Sequence, residues 1–124
     1  MHTFTLEDWL AVAGPSSSTF TQDETGWLDL APFQDVFIYL DCRETSGTAP
    51  TIAFETSPCR EDALFQPIVS MTMTSVAPQP NVLRGLMLGS TVPLARYLRW
   101  KITGPASAWE ATFRAIVVAN SPGM

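Results

Sequence analysis

Trp109, Ala111, Phe113, Ala115 and Val117 occupy every second position of one stretch near the C-terminus, with Glu110, Thr112 and Arg114 between them. Just upstream, Leu98, Trp100 and Ile102 alternate with Arg99 and Lys101. In a β-strand successive side chains point to opposite faces, so this spacing predicts two strands, each with one buried and one wet face. One-sided burial of that kind belongs to antiparallel sheets packed on each other. The expected fold class is therefore all-β, a two-sheet antiparallel β-sandwich of jelly-roll-like form.

A chain of 124 residues is long enough for one domain with a core of its own. Hydrophobic residues make up 46% and charged residues 15%, against about 25% charged in ordinary soluble domains. Such a chain either gives much of its surface to partners or fills its core unusually well. The net charge of −5 is unevenly spread. Residues 1–42 hold seven acids and no Lys or Arg, and all seven basic residues lie from Arg43 onward. An acidic first third does not suit a phosphate backbone, so no nucleic-acid partner is expected. The split either favours head-to-tail contact between copies or balances within one fold, and the second is the simpler reading.

Cys42 and Cys59 have no spaced Cys or His companions, so no zinc site is expected. Cys42 continues the side of Val36, Ile38 and Leu40 and reads as a buried free thiol; a Cys42–Cys59 disulfide is the alternative. No stretch approaches the about 18 apolar residues of a spanning helix, and no membrane partner is expected. The start has no basic, apolar leader, so the expectation is synthesis in the cytoplasm without a signal peptide.

Residues 1–15 read as a short helical arm, separate from a sandwich over 16–124. Thr5 is placed to cap, Glu7 and Asp8 fall in a first turn, and Gly14-Pro15 supplies a stop. Leu6, Trp9, Leu10 and Ala13 then form an apolar stripe for docking. Strands are expected at Thr19–Gln22 and Trp27–Leu30, as a hairpin, and at Val36–Cys42 and Thr51–Thr56. Leu64–Thr74 is expected as an edge or bulged strand bent at Pro67. An exposed loop at Ala77–Asn81, a strand at Val82–Leu88 and the two C-terminal strands complete the set.

Chemistry-bearing constellations are sparse. His2, the lone histidine, sits near a terminus, with nothing to hold it as a base. Glu55 with Glu61 or Asp62 flank a loop, and Asp23, Glu24 and Asp29 lack the density of a calcium loop. Gly85 and Gly89 stand apart from any phosphate-loop pattern. No catalytic residue, metal or cofactor is assigned, and the chain reads as a non-enzyme. Trp27, Tyr39, Phe65 and Tyr97 are candidate outward rings, whereas Trp100 and Trp109 belong to apolar faces.

The order Ile52-Ala53-Phe54-Glu55-Thr56-Ser57-Pro58, then Leu64-Phe65-Gln66-Pro67-Ile68-Val69, then Ala95-Arg96-Tyr97-Leu98-Arg99-Trp100-Lys101-Ile102 resembles discoidin-type, galactose-binding-like sandwiches. The resemblance covers roughly residues 26–119 and implies the sandwich fold; it lacks the usual Asp-Gly after the serine. Similar strand grammar is found in accessory proteins of phage particles. These resemblances imply two functions. The leading one is a structural protein of a larger assembly, a phage capsid or tail accessory component of a virion. Its partners would be copies of itself and other subunits, met through Leu6, Trp9, Leu10, Tyr39, Tyr97 and Arg99. The alternative is a carbohydrate-binding module.

Overall fold

Aromatic and β-branched residues at alternating positions carry this chain into strands almost throughout. The computed structural model describes residues 2–73, 81–86 and 94–120. Its strands are β1 (His2–Gly14), β2 (Thr19–Thr21), β3 (Leu28–Asp29), β4 (Asp35–Gly47), β5 (Thr51–Ser57), β6 (Gln66–Thr72), β7 (Asn81–Leu86), β8 (Tyr97–Thr103) and β9 (Trp109–Asn120). One sheet has the order β1-β9-β4-β7; the other runs β2-β8-β5-β6, with β3 also paired to β8. Every pairing is antiparallel. The two-sheet sandwich stands as the sequence suggests.

The core lies where the alternation places it. Val36, Ile38, Leu40 and Cys42 of β4 and the odd positions of β9 from Trp109 to Ala119 face inward. Ile52 and Phe54 of β5 meet them from the other sheet, with Leu98, Trp100 and Ile102 of β8. Both cysteines are free thiols. Burial, with Asp41 next in the chain, pushes the Cys42 thiol up to about 11, so it stays protonated and packs as a small hydrophobe.

The N-terminal helix is not formed. Residues 2–14 are a 13-residue strand hydrogen-bonded along β9. Two register shifts, between Thr5 and Glu7 and between Glu7 and Leu10, each insert one residue. Their effects on parity cancel. Phe4 before the first shift, Leu6 within it, and Leu10 and Val12 after the second therefore all pack toward the core, while Trp9 is turned out and is 43% exposed. Acidic Glu7 and Asp8 at the bulge hide this period-two pattern and leave an accidental helical spacing in its place.

The expected hairpin of Thr19–Gln22 with Trp27–Leu30 is also corrected. β2 pairs with Thr103–Lys101 and β3 with Leu98–Tyr97 of the same strand. A 3-10 turn at Glu24–Gly26 spans the gap between them. Gln22 sits in that gap, donating its backbone N–H to Trp100 O at 3.0 Å and accepting the Trp100 N–H on Oε1 at 3.3 Å. Its side-chain amide donates to Leu6 O at 2.7 Å and Gly26 O at 2.9 Å, tying the β1 bulge to the opposite sheet.

β6 is an edge strand, with a register shift where Glu55 meets Pro67; proline is tolerated there because no inner ladder needs its missing N–H. Asp62–Leu64 is a 3-10 turn rather than the start of that strand. Of the expected loop at Ala77–Asn81, all but Asn81 lies outside the described residues, as does the end of the expected Val82–Leu88 strand; Asn81 itself opens β7.

Three of the seven early acids meet late bases within the fold. Arg60, Arg96 and Arg114 pair with Glu24, Asp29 and Asp41 at 3.6, 3.0 and 3.2 Å, each joining a late base to an early acid. The Arg96 hydrogen bonds and the Ala31 amide hold the Asp29 carboxyl below its usual value.

Trp109 closes one end of the sandwich. Its ring lies edge-on to Phe20 at 5.8 Å, and its N–H donates to Ser16 O at 3.2 Å. A Cβ on Gly14 would come within 2.7 Å of the indole nitrogen, and one on Gly104 would overlap the same atom. With a glycine on either side the ring has no room to swing away. Gly104→Ala is expected to lower unfolding free energy by about 1–3 kcal/mol, measured by urea denaturation. An unchanged midpoint would mean the ring is loosely held.

Candidate assembly surface

The outer face of the four-stranded sheet can be built row by row from the register. Thr3, Val118 and Phe37 lie side by side on β1, β9 and β4; Thr5, Ile116 and Tyr39 form the next row. The third row carries Arg114 beside Asp41, and the Arg114 Nε–H donates to the Asp41 carboxylate at 3.2 Å. The Arg114 guanidinium lies 4.9 Å from the Trp9 ring. Beyond it come Ala11 with Thr112 and Ala13 with Glu110. Phe37, Tyr39, Ile116 and Val118 are only partly buried. An antiparallel sheet with a wet outer face normally carries polar side chains there. Here Phe37, Tyr39, Ile116 and Val118 make the middle of the face apolar, with Leu86 of β7 set beside Phe37 and Arg84 beside Tyr39 in the register; the ion pair described on this face joins Arg114 to Asp41.

The opposite face of the sandwich is dressed by its own chain. Arg99, on the outer side of β8, is 3% exposed. Its Nε–H donates to Glu55 at 2.9 Å and its Nη1–H to Asp62 at 2.6 Å. The guanidinium lies 3.9 Å from the Phe65 ring and 5.2 Å from the Trp27 ring, and those rings meet edge-to-face at 4.7 Å. Arg60 and Arg96 lie 4.9 and 5.2 Å from the Tyr97 ring. A buried guanidinium satisfied on both sides draws the 3-10 turns and their aromatics down onto β5 and β8.

The six residues expected at an interface therefore separate. Trp9 and Tyr39 share the outer face of the four-stranded sheet. Leu6 is buried in the core and Leu10 packs against it, because both point inward from a strand rather than outward from a helix. Tyr97, 8% exposed, and Arg99 are enclosed by the opposite face's own loops. Of the four candidate outward rings, Trp27, Phe65 and Tyr97 already meet guanidinium groups, and Tyr39 lies on the apolar face.

Phe37, Ile116 and Val118 join this face without being among the six expected interface residues. Their signal is the uninterrupted apolar runs Val36–Leu40 and Ala115–Val118, which mark strands apolar on both faces. Among the described residues, no group of three or more His, Cys, Asp or Glu is placed to hold a metal ion, and no helix is long and apolar enough to cross a membrane.

No protein-family model matches the chain, and no curated protein matches it. Among solved structures, the infectious bursal disease virus VP2 subviral particle is similar with a TM-score of 0.55 and 14% identity, over 98% of this chain and 33% of that one. The infectious bursal disease virus Gx strain gives a TM-score of 0.51 at 13% identity, over 98% and 33%. A pilus protein of Bacillus endospore appendages has a TM-score of 0.46 at 13% identity, covering 98% of this chain and 93% of that one. The chain thus spans about a third of the viral chains it resembles. At such identity the viral likeness is one of fold, a jelly-roll-like β-sandwich.

Proposed function

We propose that this chain is a non-enzymatic structural subunit of a larger protein particle, a capsid or accessory component of a virion such as a phage's. It would bury the outer face of its four-stranded sheet against neighbouring subunits. The observation that carries this reading is the pair of adjacent rows Thr3–Val118–Phe37 and Thr5–Ile116–Tyr39, apolar at the centre of a face that water would otherwise wet. Burying such side chains is the main source of association free energy, and Trp9 beside the Arg114–Asp41 pair supplies an aromatic anchor with fixed polar neighbours. The fold shared with the VP2 subviral particle, at TM-score 0.55, supports the same reading.

Ile116→Lys tests it. The long side chain can snorkel from a partly buried position without unfolding the monomer. It would place a charge in the centre of the interface. The concentration needed for assembly is expected to rise roughly 30-fold, the effect of losing a contact worth about 2 kcal/mol, with the thermal midpoint close to that of the original protein. Assembly at the original concentration would remove this face from the interface.

A further inference from the structure

The long edge strand β1 treats its two halves differently. At the bulge, side chains close the backbone: Asp8 Oδ1 accepts the Trp9 N–H at 2.9 Å and the Gln22 amide donates to Leu6 O at 2.7 Å. Charged Glu7 and Asp8 lie at the same place, as natural edge strands use charges and bulges to repel added strands. Leu10–Gly14 has neither device. It returns to regular pairing with Phe113–Trp109 and carries no charge and no proline. Among the described residues only β9 hydrogen-bonds to it. A hollow of about 270 Å³ lies along this stretch, lined by Ala11, Val12, Ala13, Glu110, Ala111 and Thr112.

We propose that Leu10–Gly14 is a strand-addition edge that pairs antiparallel with the same segment of a second copy of this chain, about a two-fold axis at Val12. The inference rests on the reading of the chain as an assembling subunit and adds an edge contact to its face contact. A row of unpaired backbone N–H and C=O groups along a regular edge is matched in register by another extended backbone. The segment is complementary to itself. Pairing about Val12 sets Leu10 of one copy against Gly14 of the other, and Ala11 against Ala13. Residues directed to the core side then meet each other, and so do the small outer ones, as register demands. In a chain of net charge −5, this uncharged stretch lets two copies approach, and Asp8 falls beyond the pairing in both.

Two double variants decide the question, measured by light scattering on a sizing column with circular dichroism as the check on folding. Ala11 and Ala13 are exposed, so charges there leave the subunit folded. Ala11→Lys with Ala13→Lys sets lysine against lysine across the axis and is expected to lower the associated mass at a given concentration. Ala11→Glu with Ala13→Lys sets Glu against Lys in the same register and is expected to restore it. If the double-lysine protein associates like the original, edge pairing is overturned while the assembly reading stands. If the Glu/Lys protein stays as dissociated as the double-lysine one, the antiparallel register is overturned. If the original protein is a single chain at every concentration, both readings fail together.

Discussion

Arg99→Ala is expected to cost about 3–5 kcal/mol of folding stability, as breaking a buried ion pair from one side does. Alternation alone places Arg99 on the wet side of β8, where truncation would cost little. In the fold it is 3% exposed and bonded to Glu55, itself 6% exposed. Removing the guanidinium strands a carboxylate in the interior and releases the Phe65 and Trp27 rings stacked on it. Asp62, whose side chain is 80% exposed, stays wet either way, so Asp62→Ala should cost about 0–1 kcal/mol. The combined change Arg99→Met and Glu55→Leu should recover most of the loss, because an apolar pair of similar volume carries no desolvation cost. Chemical denaturation of the four proteins checks this. An Arg99→Ala loss as small as that of Asp62→Ala would show the pair to be hydrated.

Trp100→Ala should be as damaging, about 3–5 kcal/mol, the usual effect of truncating a buried aromatic. The ring stands edge-to-face on Phe113, with centroids 5.2 Å apart and planes at 87°. Its indole N–H donates to Glu7 Oε1 at 3.1 Å, a second bond between the β1 bulge and the opposite sheet. Phe113→Ala should cost a similar amount. The two together should fall short of the sum of the singles, with a coupling of about 0.5–1.5 kcal/mol for the aromatic contact. Additive losses in a double-mutant cycle would mean that the rings are stabilised independently.

The elements legible in the sequence are those whose alternation is unbroken. β9 shows every inward residue from Trp109 to Val117, and β6 shows its edge position and bulge through Pro67. β1 was misread because two bulges around Glu7 and Asp8 break its alternation, and Leu6, Trp9, Leu10 and Ala13 then fall by chance on a helical stripe. The sequence cannot show that register shift, since the bulge is held by Gln22 and Trp100 from the other sheet. Arg99 was placed on the correct face of its strand and given the wrong environment. Period two reports which way a side chain points; the cover over it comes from turns at Glu24–Gly26 and Asp62–Leu64, far apart in the chain. The sequence marks Tyr39 as a candidate outward ring and Trp9 as an interface residue, the latter on the stripe of a helix that does not form. Their neighbours Phe37, Ile116 and Val118 became visible once β4 and β9 were seen to lie side by side, because a surface shared by two strands is a property of pairing.

In the proposed function this chain works as one of many. Light scattering on a sizing column over a wide range of protein concentration, with electron microscopy of the leading fraction, tests it directly. An assembling subunit gives a mass of several chains that grows with concentration, and closed particles or ordered arrays of uniform size in the images. A single-chain mass throughout the range, with no particles, would contradict it.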